Sequence, residues 1–116
     1  MTQTFLEKKC QPCEGKEAPL KKQEAQENLK QVPGWEMTAD GKGIYRNFVL
    51  KNFMAGVRFM SHIADVAERE NHHPDLHLTC YRKLKIDLST HAIGGLSEND
   101  FILAAKINEL PVELKA

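Results

Sequence analysis

The sequence has no excess of charge of either sign and no long apolar run. Its 16 Lys and Arg residues balance its 16 Asp and Glu residues, so no overall basic field would attract nucleic acid or anionic lipid. No apolar stretch approaches the roughly 20 residues of a membrane-spanning helix, and Met1-Thr2-Gln3-Thr4 lacks the charged and then apolar order of a signal peptide. We therefore expect a cytoplasmic protein with no nucleic-acid or membrane role, whose partner is a small molecule or another protein.

Cysteine is also scarce. The chain contains three cysteines, and an odd number is a poor disulfide framework. Cys10 and Cys13 form a CxxC pair, but a zinc ribbon needs a second such pair, and Cys80 stands alone. We interpret all three as free thiols and expect no metal site.

The 116 residues, of which 41% are hydrophobic, fit one domain with a single modest core. Residues 1–17 lack periodicity and are predicted to form a flexible N-terminal tail or a loosely attached lid, without chemistry. Residues 18–116 are predicted to form the single folded domain.

Periodicity and turn residues predict the elements of this domain. They are, in chain order, a helix over 18–31, strands over 35–38 and 43–50 joined at Asp40-Gly41, a helix over 52–70, strand-like alternation over 76–88 and a helix over 101–110. The Asp-Gly hairpin makes the first strand pair antiparallel. We therefore predict an α+β fold in the order α-β-β-α-β-β-α, a four-stranded antiparallel sheet with three helices packed on one face.

The helix over 52–70 is expected to be the main core element. One apolar series recurs with the helical period, and a second series widens the buried stripe. The first is Phe53, Val57, Met60, Ala64 and Ala67, and the second is Phe59, Ile63 and Val66. His62 is expected on the solvated face, Trp35 between a helix and the hairpin, and Tyr81 in the sheet or, as the less favoured alternative, at the edge of a pocket.

The run Asn71-His72-His73-Pro74, followed by His91 and Asp100, is the most informative feature. Histidine exchanges protons near neutrality and also binds metals, so the cluster indicates acid–base chemistry or metal ligation. His73 and His77 have the spacing of two zinc ligands on a helix. Pro74 disfavours a helix there, and the residues after it alternate like a strand, which argues against a metal site.

Acid–base chemistry suits the position of the pair better. His72 and His73 follow a predicted helix end, where Asn71 is a common left-handed terminator. The negative end of the helix dipole favours an imidazolium, as a general acid requires. The alternative is that each histidine only caps a helix or bonds a strand carbonyl.

These residues closely resemble the pterin-4a-carbinolamine dehydratase family. The resemblance covers nearly the whole chain after the tail, and it rests on Gly34-Trp35, Glu68-x-x-x-His72-His73-Pro74, Leu88-Ser89-Thr90-His91 and Gly95-Leu96-Ser97-Glu98-x-Asp100. Asn71 stands where some members have Asp.

The resemblance implies dehydration of 4a-hydroxytetrahydrobiopterin to quinonoid dihydropterin and water, without a cofactor or metal. It implies that His72 and His91 are the acid and base that flank the pterin, and that His73 contacts the substrate and takes part in proton transfer. Four further residues are expected to bind the substrate or to support the histidines: Glu68, Asn71, Pro74 and Asp100. Glu68 is expected to orient His72, whereas Asp100 fits equally well as the capping acid of the last helix.

The resemblance also implies a homodimer or homotetramer and a link to an aromatic amino-acid hydroxylase, whose pterin cofactor the reaction would recycle. The alternative function is protein binding, since relatives in animals also act as dimerization cofactors for a homeodomain transcription factor.

Overall fold

The computed structural model describes residues 4–11 and 18–116, and in this part of the chain the helices and strands follow the predicted order. The α-helices are α1 (Lys22–Leu29), α2 (Phe53–Glu70) and α3 (Glu98–Asn108), and the strands are β1 (Glu36–Met37), β2 (Ile44–Val49), β3 (Asp75–Thr79) and β4 (Lys83–Leu88). Short 3-10 turns occur at Phe5–Glu7 and His91–Ile93. The predicted α+β fold class is confirmed.

The sheet is antiparallel throughout, with the strand order β1-β2-β4-β3. Its register places Phe48 opposite Leu84 on one face and Asn47 opposite Lys85 on the other. The first face carries the buried apolar residues and the second is largely polar. The helices pack on the apolar face, where the rings of Phe48 and Phe59 meet edge to face at 4.9 Å.

Helix α2 supplies the centre of the core, but its buried stripe is narrower than predicted. The second apolar series is buried, whereas Phe53 is 51% exposed and Ala64 is also exposed. Gly56 explains the orientation, because a Cβ built there would lie only 3.1 Å from Leu78 of β3. The helix therefore approaches the sheet along the Gly56 and Phe59 side, and Phe53 points away from it.

Trp35 lies where the sequence predicted, between a helix and the hairpin. The side chain is buried, and its Nε1 donates a hydrogen bond to Asn108 Oδ1 of α3 at 2.9 Å. The favoured prediction for Tyr81 was wrong, since this residue is 57% exposed in the turn between β3 and β4. Cys80 and Tyr81 both have positive φ angles, because the short connection needs left-handed backbone, and this directs them out of the strand alternation.

Residues 4–11, which we name the N-terminal strap, pack on the domain. Phe5 is 6% exposed and its ring centroid lies 5.9 Å from that of Phe101, while Lys106 Nζ donates to the Leu6 carbonyl oxygen at 3.0 Å. The flexible tail expected over residues 1–17 is therefore wrong for the strap, because Phe5 anchors this segment in the core. Cys13 lies outside the described residues.

His62 is exposed on α2, as predicted. Within residues 4–11 and 18–116, no helix is long and apolar enough to cross a membrane.

Candidate active site

The C-terminus of α2 directs the histidine pair away from the helix. Asn71 adopts the left-handed conformation with φ 50° and ψ 41°. The Asn71 N–H donates to the Glu68 carbonyl oxygen at 3.4 Å, and the His72 N–H donates to that of Ala67 at 3.2 Å. This is the Schellman arrangement that ends many helices. It reverses the chain at Asn71, and Pro74 then leads directly into β3.

His72 reaches across to the first turn of α3. Its Nε2 lies 2.7 Å from Asp100 Oδ1, and the exposed fractions of the two side chains are 12% and 0%. Asp100 already accepts two other hydrogen bonds, so we assign the donor role in this contact to His72 Nε2. Nδ1 is then the ring nitrogen that remains available for proton exchange.

Asp100 is held in place by two further donors. Its Oδ2 accepts from Thr90 Oγ1 at 2.9 Å and from the Ser97 backbone N–H at 3.0 Å. The Ser97 bond belongs to the capping box that begins α3. The Asp100 carboxylate therefore caps α3 and also contacts His72. Sequence reasoning did not identify Thr90 as a site residue, although its position directly before His91 was a usable signal.

The second histidine of the pair has a different partner. His73 Nε2 makes a hydrogen-bond contact with Glu68 Oε2, and the two side chains are 55% and 75% exposed. The expectation that Glu68 orients His72 was wrong. The left-handed turn at Asn71 brings His73 back beside the last turns of α2, while His72 is directed towards α3.

His91 lies in the 3-10 turn that follows β4. This turn is closed at its base, where the Thr90 N–H donates to the Gly95 carbonyl oxygen at 2.8 Å. The His91 side chain is exposed.

The three histidines line one cleft of about 370 Å³. Among the residues that the structure describes, eight others line it: Cys10, Gln11, Glu70, Asn71, Ser89, Thr90, Ala92 and Asn99. Of the other expected site residues, Asp100 and Glu68 reach the cleft only through the histidines they contact, and Pro74 is not among the lining residues.

Cys10, Gln11, Glu70 and Asn99 also line the cleft, and sequence reasoning did not place them there. Glu70, whose side chain is 7% exposed, accepts the Cys10 backbone N–H with Oε1 at 2.8 Å and lies 3.8 Å from Lys106 Nζ. Burial, and then the negative charge of Glu70, raises the pKa of the Cys10 thiol to about 12.

The His73-x-x-x-His77 spacing falls on extended backbone rather than on a helix, as predicted. His77 Nε2 contacts Asp87 Oδ2 at 3.0 Å on the polar face of the sheet. In the described part of the chain, no three His, Cys, Asp or Glu side chains are grouped so that they could hold a metal ion.

Comparison with known proteins supports the resemblance seen in the sequence. Residues 18–110 match the model of the family described as pterin 4 alpha carbinolamine dehydratase. The chain is 50% identical over 109 residues to pterin-4-alpha-carbinolamine dehydratase 2, mitochondrial, of Arabidopsis thaliana, covering 91% of this chain and 58% of the plant protein. It is 45% identical over 107 residues to a putative pterin-4-alpha-carbinolamine dehydratase of Halorhodospira halophila, covering 92% of this chain and 97% of that protein.

A solved structure agrees with the fold as well. The crystal structure of the transcriptional coactivator/pterin dehydratase of Brucella melitensis has a TM-score of 0.72 to this chain and is 32% identical, covering 78% of this chain and 95% of that one. The family match and these identities show that the chain belongs to the pterin 4a-carbinolamine dehydratases, a family of hydro-lyases.

Proposed function

We propose that this hydro-lyase removes water from 4a-hydroxytetrahydropterins such as 4a-hydroxytetrahydrobiopterin by histidine acid–base catalysis. The observation that carries the proposal is the contact of His72 with the buried Asp100 at the edge of a cleft that His91 also lines. One imidazole of fixed orientation and a second that lines the same cleft provide the two proton-transfer groups that an elimination requires.

The reaction needs no electron transfer. A proton reaches the 4a-hydroxyl, the C4a–O bond breaks and water departs, while the N5 lone pair forms the C4a=N5 double bond. The proton on N5 then passes to a base, so that one proton is donated and one is accepted. General acid–base catalysis of this kind typically contributes 10²–10⁴-fold.

His72 and His91 share these two roles in our proposal. The bond from Nε2 to Asp100 fixes the His72 ring and directs exchange to Nδ1. His73, paired with Glu68, contacts the substrate and assists proton transfer. Asn71 and Pro74 support the pair through the backbone, by the left-handed turn and by the exit into β3.

Stopped-flow absorbance tests the activity directly. Freshly generated 4a-hydroxytetrahydropterin is mixed with the protein at neutral pH, and its decay is compared with the uncatalysed decay in the same buffer. The proposal predicts acceleration in proportion to protein concentration. Decay at the uncatalysed rate in the presence of folded protein would overturn it.

We also propose that the protein is a homodimer or homotetramer in the cytoplasm and supports recycling of the pterin used by an aromatic amino-acid hydroxylase. Four exposed apolar side chains support self-association: Val49, Phe53, Met54 and Leu114. Light scattering after size exclusion would give the mass, and a mass of one chain would contradict this assembly.

Protein binding remains the second candidate function, since the Brucella relative is described as both a transcriptional coactivator and a pterin dehydratase. If the protein does not accelerate the decay in the stopped-flow test, protein binding becomes the favoured function.

A further inference from the structure

The lining of the cleft includes a segment outside the part of the chain that the family model matches. Cys10 and Gln11 line the cleft, whereas the match begins at residue 18. The strap is held on the domain by six hydrogen bonds and one buried aromatic ring.

Asn99 holds the strap at the cleft through two hydrogen bonds. The Gln11 N–H donates to Asn99 Oδ1 at 2.9 Å, and Asn99 Nδ2 donates to the Gln11 carbonyl oxygen at 2.6 Å. The side-chain amide thus pairs with the backbone much as a neighbouring strand would. Asn99 directly precedes Asp100, so the first turn of α3 fixes both the strap and His72.

Glu70 makes the second attachment from the end of α2. Its carboxylate is nearly buried, lines the cleft and accepts the Cys10 N–H. A buried carboxylate without partners would be strongly destabilising, and the Cys10 N–H together with Lys106 offsets that cost. The strap and His72 are therefore attached to the same two helix ends, the C-terminus of α2 and the first turn of α3.

We propose that the strap is a substrate-positioning wall, which holds the pterin ring against His72 and His91, and that Glu70 and Asn99 are the residues that position it. This inference rests on the proposed function. Because binding and orientation depend on the strap while proton transfer depends on the histidines, loss of the strap attachment raises KM more than it lowers kcat.

Three variants and one control separate this role from others. Asn99→Ala removes both bonds to Gln11, and Glu70→Ala removes the acceptor of the Cys10 N–H. Glu70→Gln keeps an oxygen acceptor but loses the charge. Glu27→Gln makes the same chemical change on the exposed surface of α1.

We expect Asn99→Ala and Glu70→Ala to raise KM about fivefold or more and to change kcat less than about twofold. The rise in KM corresponds to the loss of hydrogen bonds of ordinary strength. Glu70→Gln, which keeps an acceptor for the Cys10 N–H, should raise KM less than Glu70→Ala, and Glu27→Gln should stay close to wild type. Thermal melts confirm that each variant is folded. Unchanged KM in both alanine variants would overturn the proposal, and so would a loss of kcat in Glu70→Gln, which would make the Glu70 charge part of the chemistry.

Limited trypsin digestion gives a readout that does not depend on turnover. Lys8 and Lys9 lie within the strap, so cleavage after them, followed by mass spectrometry, reports its release. We expect 7,8-dihydrobiopterin to slow this cleavage in the wild type and to slow it less in Asn99→Ala. If the pterin does not slow cleavage of the strap, the inference is overturned even if the protein is an active dehydratase. If the pterin protects the strap but the protein has no dehydratase activity, only the proposed function is overturned.

Discussion

The imidazole of His72 and the carboxylate of Asp100 lie 2.7 Å apart across the junction of two helices, one at the end of α2 and the other in the first turn of α3. The same carboxylate caps α3 through the Ser97 N–H and accepts from Thr90 beside His91. A group that completes the structure of a helix end therefore also fixes the orientation of a proposed catalytic ring.

Asp100→Asn should reduce both activity and stability. The amide offers one acceptor oxygen where three donors converge, and its NH₂ group would face one of them, which costs about 1–3 kcal/mol in the free energy of unfolding. With the ring orientation lost, kcat should fall at least about tenfold. Urea denaturation and stopped-flow kinetics measure the two effects.

Thr90→Val is the matched control for Asp100→Asn. It removes one donor to the same carboxylate but leaves the contact with His72 intact, so it should cost stability while kcat falls much less. Equal losses of kcat in the two variants would contradict the assignment of His72 orientation to Asp100.

Asn71 can be tested through its backbone conformation. Asn71→Gly keeps the left-handed turn without strain, and its free energy of unfolding should stay near that of the wild type. Asn71→Val places a β-branched residue at φ 50° and should destabilise the protein by about 1–3 kcal/mol. Chemical denaturation would measure this difference, and equal stability of the two variants would show that the turn does not control the end of α2.

The two described cysteines should differ sharply in reactivity. Burial and the charge of Glu70 raise the pKa of Cys10 to about 12, so the thiol stays protonated at pH 8, whereas Cys80 is exposed. Iodoacetamide should label Cys80 in the native protein and leave Cys10 largely unmodified, as mass spectrometry of peptides would show. Rapid labelling of Cys10 in folded protein would contradict the strap geometry.

The same pKa shift has a consequence for stability. Because the folded-state pKa of Cys10 is raised, its protonated form favours folding below the ordinary thiol pKa near 9, and this contribution is lost as pH rises towards 12. Between about pH 9 and 12, the free energy of unfolding of Cys10→Ser should therefore decrease less than that of the wild type.

A pair of phenylalanine substitutions tests the orientation of α2. Phe59 is 1% exposed and packs edge to face on Phe48, so Phe59→Ala should cost about 3–5 kcal/mol. Phe53 is 51% exposed, and Phe53→Ala should cost far less. Similar losses in thermal unfolding would contradict the buried stripe described for α2.

Much of the fold was predictable because its signals are local. The Asp-Gly turn, the alternation in β4 and the helical period of α2 each lie within a short stretch of sequence. Local signals could not show which apolar residues of α2 are buried, because their burial depends on the close approach of Gly56 to Leu78. The exposure of Tyr81 depended on left-handed backbone that no glycine marks.

The candidate site was predictable only in part. The histidine run, the helix terminator Asn71 and the capping acid Asp100 all carry sequence signals. The partner of each histidine depends on the direction of the chain after the turn, which places Glu68 beside His73 rather than His72. The strap wall depends on contacts between residues about 60 to 90 positions apart, for which single-sequence periodicity holds no signal.

The most direct test of the account compares stopped-flow decay of 4a-hydroxytetrahydropterin with wild-type protein, His72→Ala, His91→Ala and the control His62→Ala, whose histidine is exposed on α2. We predict at least about a tenfold loss of kcat in the first two variants and wild-type activity in the control. Wild-type rates in folded His72→Ala and His91→Ala would contradict the proposed histidine mechanism.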